Sequence, residues 1–112
     1  MHERALRVRP LPRFAAALAN RPFDVLDISI TGARGLIEAP PLVTGVVYPL
    51  RLGDGSGALD LLAHVVRSKQ AGQYWETVID FTRSAATQHR VGAVLTQLIR
   101  DFPQSLSAPP VP

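Results

Sequence analysis

The chain has 112 residues, of which 46% are hydrophobic and 19% are charged, so it can bury one core and suits a single domain. It has no cysteine, which excludes disulfides, thiolate metal sites and a cysteine nucleophile, and no apolar run nears the roughly 20 residues of a membrane span. The net charge of +3 favours an anionic partner such as a nucleotide, a phosphate or a nucleic acid.

The N-terminal segment is basic and carries no hydrophobic period. Arginines recur along it, and Pro10 and Pro12 favour extended backbone at the residues before them. We therefore predict a flexible basic arm over residues 1–13. Residues 14–19 fit a short strand or a helical turn, and we favour the strand because the segment is short and ends before Pro22.

Alternating hydrophobic residues predict a series of short strands after this segment. The predicted strands cover residues 23–30, 33–39, 46–52, 58–67 and 73–82, with turns at 53–57 and 68–72. Pro49 lies inside one of them and predicts an edge strand or a bulge, because proline cannot donate to a ladder. Trp75 and Phe81 fall on the inward face of the last strand, so we assign them to the core.

The hydrophobic period changes towards the C-terminus. Over residues 87–102 the apolar positions recur every three or four residues, which predicts an amphipathic helix that Ser84 or Thr87 can cap. The Ser-, Ala- and Pro-rich residues 103–112 are predicted to be a disordered tail. Residues 14–102 are thus predicted to form an all-β domain with a C-terminal helix, a small antiparallel barrel with the helix packed on it.

A DxSxxG hexapeptide occupies residues 27–32, at the end of the predicted strand 23–30. Because side chains alternate along a strand, we expect Asp27 and Ser29 on one face. The aliphatic residues of the buried face are then Leu26, Ile28 and Ile30. Gly32 lets the backbone turn or lets a ligand approach it. Asp, Ser, Thr and Gly are also ordinary turn residues, so the hexapeptide taken alone favours a structural role.

Arg9 and Arg13 on the arm have the spacing RxxxR, which any basic arm can contain by chance. An RxxxR arm followed by DxSxxG, further strands and a C-terminal helix resembles the PilZ domain over nearly the whole chain. This resemblance implies a six-stranded split barrel that binds the bacterial second messenger cyclic di-GMP. By the same resemblance Arg9 and Arg13 are the arm arginines, and Asp27, Ser29 and Gly32 are the strand motif of the ligand site.

The chemistry of cyclic di-GMP fits these residue types. Guanine presents O6 and N7 acceptors that a guanidinium fork matches bidentately, and arginine also pairs with phosphate. On its other edge guanine presents N1–H and N2–H donors, which a carboxylate such as Asp27 can accept, with Ser29 as a further polar contact. Two or three bidentate contacts of roughly 1–3 kcal/mol each, less the ordering of the arm, correspond to an affinity of order micromolar. We expect the arm to order on binding and so to change the surface shown to a downstream effector protein.

Catalysis finds little support in the sequence. The histidines His2, His64 and His89 have no metal-ligand spacing, and Asp27 with Ser29 lacks the histidine of a nucleophile–base arrangement. We therefore predict a protein that is not an enzyme, has no cofactor or metal, and resides in the cytoplasm.

Two alternatives to cyclic di-GMP binding stay open. One is a basic β-barrel that binds nucleic acid. This reading is disfavoured because aromatic residues are few and the positive charges do not line up along one face of a strand. The other is a PilZ-like adaptor that binds protein and no nucleotide, which the presence of both motifs disfavours. Steep salt dependence with long oligonucleotides would favour the first alternative.

Overall fold

The computed structural model describes residues 15–53, 58–81 and 84–101, without the side chains of residues 98–101. The elements in this part of the chain are β1 (Ala16–Leu18), β2 (Arg21–Pro22), β3 (Asp24–Ile28), β4 (Gly32–Glu38), β5 (Val47–Leu52), β6 (Leu59–Ala71), β7 (Tyr74–Phe81) and α1 (Ala85–Asp101). The strands form one sheet in the order β2-β1-β5-β6-β7-β4-β3, and neighbouring strands are antiparallel. The predicted arm and tail, residues 1–13 and 103–112, lie outside the described residues.

The sheet curls into a nearly closed barrel whose two edges are β2 and β3. Nη1 of Arg21 in β2 donates to the carbonyl oxygens of Glu38 at 2.8 Å and Pro40 at 2.7 Å, just where β4 ends. These bonds tie the β2 edge to the far side of the sheet. The predicted all-β barrel with a C-terminal helix is confirmed, with seven strands instead of six because Arg21 and Pro22 pair with β1.

Aliphatic side chains from alternate strand positions fill the barrel. The largest fully buried side chains are Leu18, Ile28, Ile37, Leu50, Leu52, Val65, Thr77, Ile79 and Val91. Phe81 is also buried and Trp75 packs against this cluster, as the alternation predicts. Burying an aliphatic side chain stabilises a fold by about 1.5–3 kcal/mol, so this cluster is the main source of stability.

Helix α1 adds its apolar stripe to the barrel core. Val91 and Leu95 are buried, and Val94 packs against the same cluster. The helix begins where the sequence predicts, because the Ser84 hydroxyl accepts a hydrogen bond from the backbone N–H of Thr87 at 3.0 Å.

Strand β6 is longer than the sequence predicts. The expected turn at residues 68–72 is wrong, because β6 continues to Ala71, which pairs with Tyr74 across a two-residue turn. The register with β7 shifts between Val65 and Arg67, which is a β-bulge. The bulge moves the inward positions by one residue, so the hydrophobic alternation breaks while the strand continues.

Strand β5 is not an edge strand, contrary to the prediction from Pro49. It lies between β1 and β6, and Pro49 pairs with Leu62 of β6. The carbonyl oxygen of Pro49 accepts from Ala19 N–H at 2.8 Å, on the β1 side and one residue past the end of β1. Since N–H and C=O of one residue point to the same side of a strand, the missing donor falls where β1 has ended.

Candidate functional site

The DxSxxG residues lie in the hairpin that joins β3 to β4. Ile28 pairs with Ala33 and Asp27 pairs with Arg34, so the chain turns over residues 29–32, of which Gly32 is already the first residue of β4. The N–H of Ser29 donates to the carbonyl oxygen of Gly32 at 2.8 Å and closes this loop. The loop is also held to the end of β7, because Phe81 N–H donates to Thr31 O at 2.9 Å.

A β-bulge at Leu26 sets the two faces of β3. The register with β4 shifts between Val25 and Asp27, so Val25 and Ile28 are both buried. Asp27 shares the outer face with Arg34, because residues paired across an antiparallel ladder point to the same side.

The predicted faces of the hexapeptide are confirmed for two residues, because Asp27 lies on the outer face and Ile28 on the buried face. The predictions for Leu26, Ser29 and Ile30 need correction. Leu26 and Ile30 are half-buried instead of fully inside. Ser29 follows the last residue of β3 and belongs to the loop. Strand β3 ends at Ile28, so the strand alternation does not extend to Ser29 and does not place it beside Asp27.

Asp27 takes part in an ion pair that crosses the hairpin. Its carboxylate oxygen Oδ2 accepts from Arg34 Nε at 3.0 Å and from Arg34 Nη2 at 2.8 Å. The remaining terminal nitrogen of Arg34, Nη1, lies 2.8 Å from Oε1 of Glu76 on β7. One guanidinium on β4 thus bridges carboxylates on both neighbouring strands through charge-assisted hydrogen bonds.

The bridge further favours the charged form of Arg34. The hydrogen bond to Asp27 raises the pKa of Arg34 above its ordinary value, and the bond to Glu76 raises it further. The side chain of Asp27 is 10% exposed, whereas that of Arg34 is 41% exposed. The carboxylate of Asp27 is therefore nearly buried beneath a guanidinium that reaches the barrel surface.

The Ser29 hydroxyl holds the loop together. It shares a hydrogen bond of 3.0 Å with the hydroxyl of Thr31 and accepts from Thr31 N–H at 3.3 Å. Ser29 is buried. In this arrangement Ser29 fixes the shape of the loop that carries the motif.

Gly32 lies against the backbone of β7. A Cβ built at this position would overlap the carbonyl oxygen of Ile79 and lie 3.2 Å from Oδ1 of Asp80. Gly35, further along β4, has a similar constraint, because a Cβ there would lie 2.6 Å from the carbonyl oxygen of Asp24. Both positions require glycine for close packing of strands, and Gly32 sets how near the loop lies to β7.

The structure brings Asp27, Ser29 and Gly32 together in one hairpin, while Arg9 and Arg13 lie outside the described residues. Two further residues of the site, Arg34 in β4 and Glu76 in β7, were not predicted from the sequence. Among the described residues no group of three His, Cys, Asp or Glu side chains could hold a metal ion. Nor does this part of the chain contain a helix with the length and apolar character needed to cross a membrane.

Known structures similar to this chain share its fold at low sequence identity. No protein-family model matches the chain, and no curated protein is significantly similar to it. The PilZ domain of YcgR from Escherichia coli, solved with c-di-GMP, is 18% identical with a TM-score of 0.70, and the match covers 93% of this chain and 96% of that one.

Two further structures agree. MrkH of K. pneumonia, solved as a c-di-GMP complex, has a TM-score of 0.72 at 18% identity, over 93% of this chain and 55% of MrkH. The Legionella protein Lpg0364 has a TM-score of 0.66 at 21% identity, over 88% and 97% of the two chains. The strand order, the C-terminal helix and these matches together give the chain the fold of a PilZ domain.

Proposed function

We propose that this domain is a receptor for cyclic di-GMP. The observation that carries the proposal is the β3–β4 hairpin, which holds Asp27, Ser29 and Gly32 together in a PilZ-like barrel. Two proteins with this fold, the PilZ domain of YcgR and MrkH, were solved with c-di-GMP. The hairpin supplies the carboxylate of Asp27, whose side chain is 10% exposed on the outer face of the barrel beneath Arg34. The sequence supplies two arginines ahead of the barrel, Arg9 and Arg13.

In this proposal the two halves of the site recognise different parts of the ligand. Asp27 accepts the N1–H and N2–H donors of a guanine. Arg9 and Arg13 supply guanidinium groups to the O6 and N7 edge and to the phosphates. Ser29 and Gly32 act through the loop, because Ser29 bonds Thr31 within it and Gly32 lets it approach β7.

Calorimetric titration with cyclic di-GMP tests the role of Asp27. We expect Asp27→Asn to weaken binding roughly 5- to 150-fold, because an amide can no longer accept two N–H donors while a bidentate contact is worth about 1–3 kcal/mol. Asp60→Asn is the matched control, since Asp60 also pairs with an arginine, Arg51, at 2.9 Å. Equal affinities of the Asp27 and Asp60 variants would contradict the proposal.

The signalling output in this proposal is an ordering of the arm. Ligand held against the hairpin would draw Arg9 and Arg13 across the barrel and so change the surface offered to an effector protein. We expect amide hydrogen exchange of residues 4–13 to slow when cyclic di-GMP is added, and to stay unchanged in Asp27→Asn at the same ligand concentration. Equal exchange in the wild type with and without ligand would exclude this switch.

A further inference from the structure

We propose that Arg34 is a positioning residue that fixes the carboxylate of Asp27 and thereby sets the preference for guanine over purines without a 2-amino group. The inference rests on the proposed function and assigns a role to a residue outside both motifs. It starts from the bridge that Arg34 makes between Asp27 and Glu76.

The geometry of the bridge leaves the Asp27 carboxylate little freedom to rotate. Arg34 Nε and Nη2 both bond to Oδ2 of Asp27, at 3.0 and 2.8 Å. The guanidinium is planar, so its third bond, 2.8 Å to Glu76, also fixes the plane from which the first two are donated. Glu76 lies on β7 and Asp27 on β3, so Arg34 is anchored from both sides of its own strand.

The charges of the bridge favour hydrogen-bond donors as ligands. Arg34 carries one positive charge and lies between two carboxylates, so the three side chains together are negative. A phosphate would be repelled by this group, whereas the N–H edge of a guanine would be attracted. We therefore assign Arg34 to holding the Asp27 carboxylate, which accepts the N–H donors of guanine. Phosphate recognition stays with the arginines of the RxxxR pair.

Fixed orientation has a measurable consequence for selectivity. Guanine offers two donors, N1–H and N2–H, whereas hypoxanthine offers N1–H alone. A carboxylate held in one orientation gains from the second donor only when both donors align with it. A carboxylate that is free to rotate can adapt to a single donor, so it distinguishes the two bases less well.

The test compares cyclic di-GMP with cyclic di-IMP, its hypoxanthine analogue, by calorimetric titration. We expect the wild type to bind cyclic di-GMP at least about tenfold more tightly than cyclic di-IMP. A ratio of this size lies within the range by which a bidentate contact distinguishes two bases. Arg34→Lys keeps the charge but loses the fork, and we expect it to reduce this ratio to about threefold or less. Arg51→Gln is the matched control, because Arg51 pairs with Asp60 on the same barrel, and its ratio should equal that of the wild type.

A second variant separates a loss of selectivity from a loss of folding. Arg34→Gln alone would leave Asp27 and Glu76 without their shared cation, so the double variant Arg34→Gln/Glu76→Gln removes one of the two negative charges as well. We expect it to reduce the ratio as Arg34→Lys does, with an unchanged circular dichroism spectrum.

The outcomes separate the two proposals. If the Arg34 variants lose affinity for both ligands equally and keep the wild-type ratio, Arg34 is merely structural and the inference fails while the receptor function stands. If the wild type binds cyclic di-GMP no better than cyclic di-IMP, the inference also fails. If the wild type binds neither ligand, the receptor function fails and the inference with it.

Discussion

At the scale of single residues, Gly32 and Gly92 differ in whether the structure has room for a Cβ atom. We expect Gly32→Ala to lower the free energy of unfolding by roughly 1–3 kcal/mol, because its Cβ would overlap the backbone oxygen of Ile79. A Cβ on Gly92 of α1 would meet nothing within 4 Å, so Gly92→Ala should raise it by roughly 0.5–1 kcal/mol. Urea denaturation measures both, and a Gly32 variant as stable as the wild type would contradict this account of the loop.

The motif residues were predictable from the sequence, but their surroundings were only partly so. Once a hairpin with residues 29–32 as its loop is assumed, counting back along both strands puts Asp27 opposite Arg34. The position of Arg34 beside Asp27 can therefore be predicted from the sequence alone. Glu76 could not be found in this way, because its contact requires β7 to lie next to β4, a pairing that short-range patterns do not encode.

At the scale of elements, the β1–β2 turn holds a local strain that a substitution can relieve. Ala19 and Asn20 both have positive φ, 54° and 63°, as the central residues of a type I′ hairpin turn do. We expect Ala19→Gly to stabilise the fold by roughly 0.5–1 kcal/mol, because glycine adopts this conformation without a Cβ clash.

Thermal unfolding measures this effect, with Ala17→Gly as the control. Ala17 lies inside β1, paired with Pro22 and Arg51, so glycine there should destabilise by roughly the same amount. A fall in melting temperature for Ala19→Gly as large as that for Ala17→Gly would show that the turn is not strained.

Period-two alternation predicted most strands and fails at the two β-bulges. Alternation predicts strands over residues 23–30 and 73–82, and residues 33–39 are predicted as the hairpin partner of the first. The observed strands β3, β4 and β7 lie inside these ranges or within one residue of them. The bulges near Leu26 and Val66 shift the inward positions by one residue without ending a strand. Such shifts depend on which strands pair and how strongly the barrel bends, so a local pattern does not reveal them.

At the scale of the whole molecule, the barrel separates two outer surfaces of different chemistry. One, on β3, β4 and β7, carries the charged bridge of Asp27, Arg34 and Glu76. The other, on β5 and β6, exposes Val47 and Leu62. The fold was predictable because the alternating residues Leu59, Leu61, Ala63 and Val65 and the helical positions Val91 and Leu95 are the ones that the barrel buries.

Chemical-shift mapping by NMR with cyclic di-GMP tests the central claim most directly, because it reports on both surfaces at once. We predict that shifts will concentrate on the backbone amides of residues 27–34 and of Glu76, together with those of Arg9, Leu11 and Arg13 on the arm. The signals of Val47 and Leu62 should stay in place. Saturable shifts confined to β5 and β6, or no shifts at millimolar ligand, would contradict a cyclic di-GMP site at the β3–β4 hairpin.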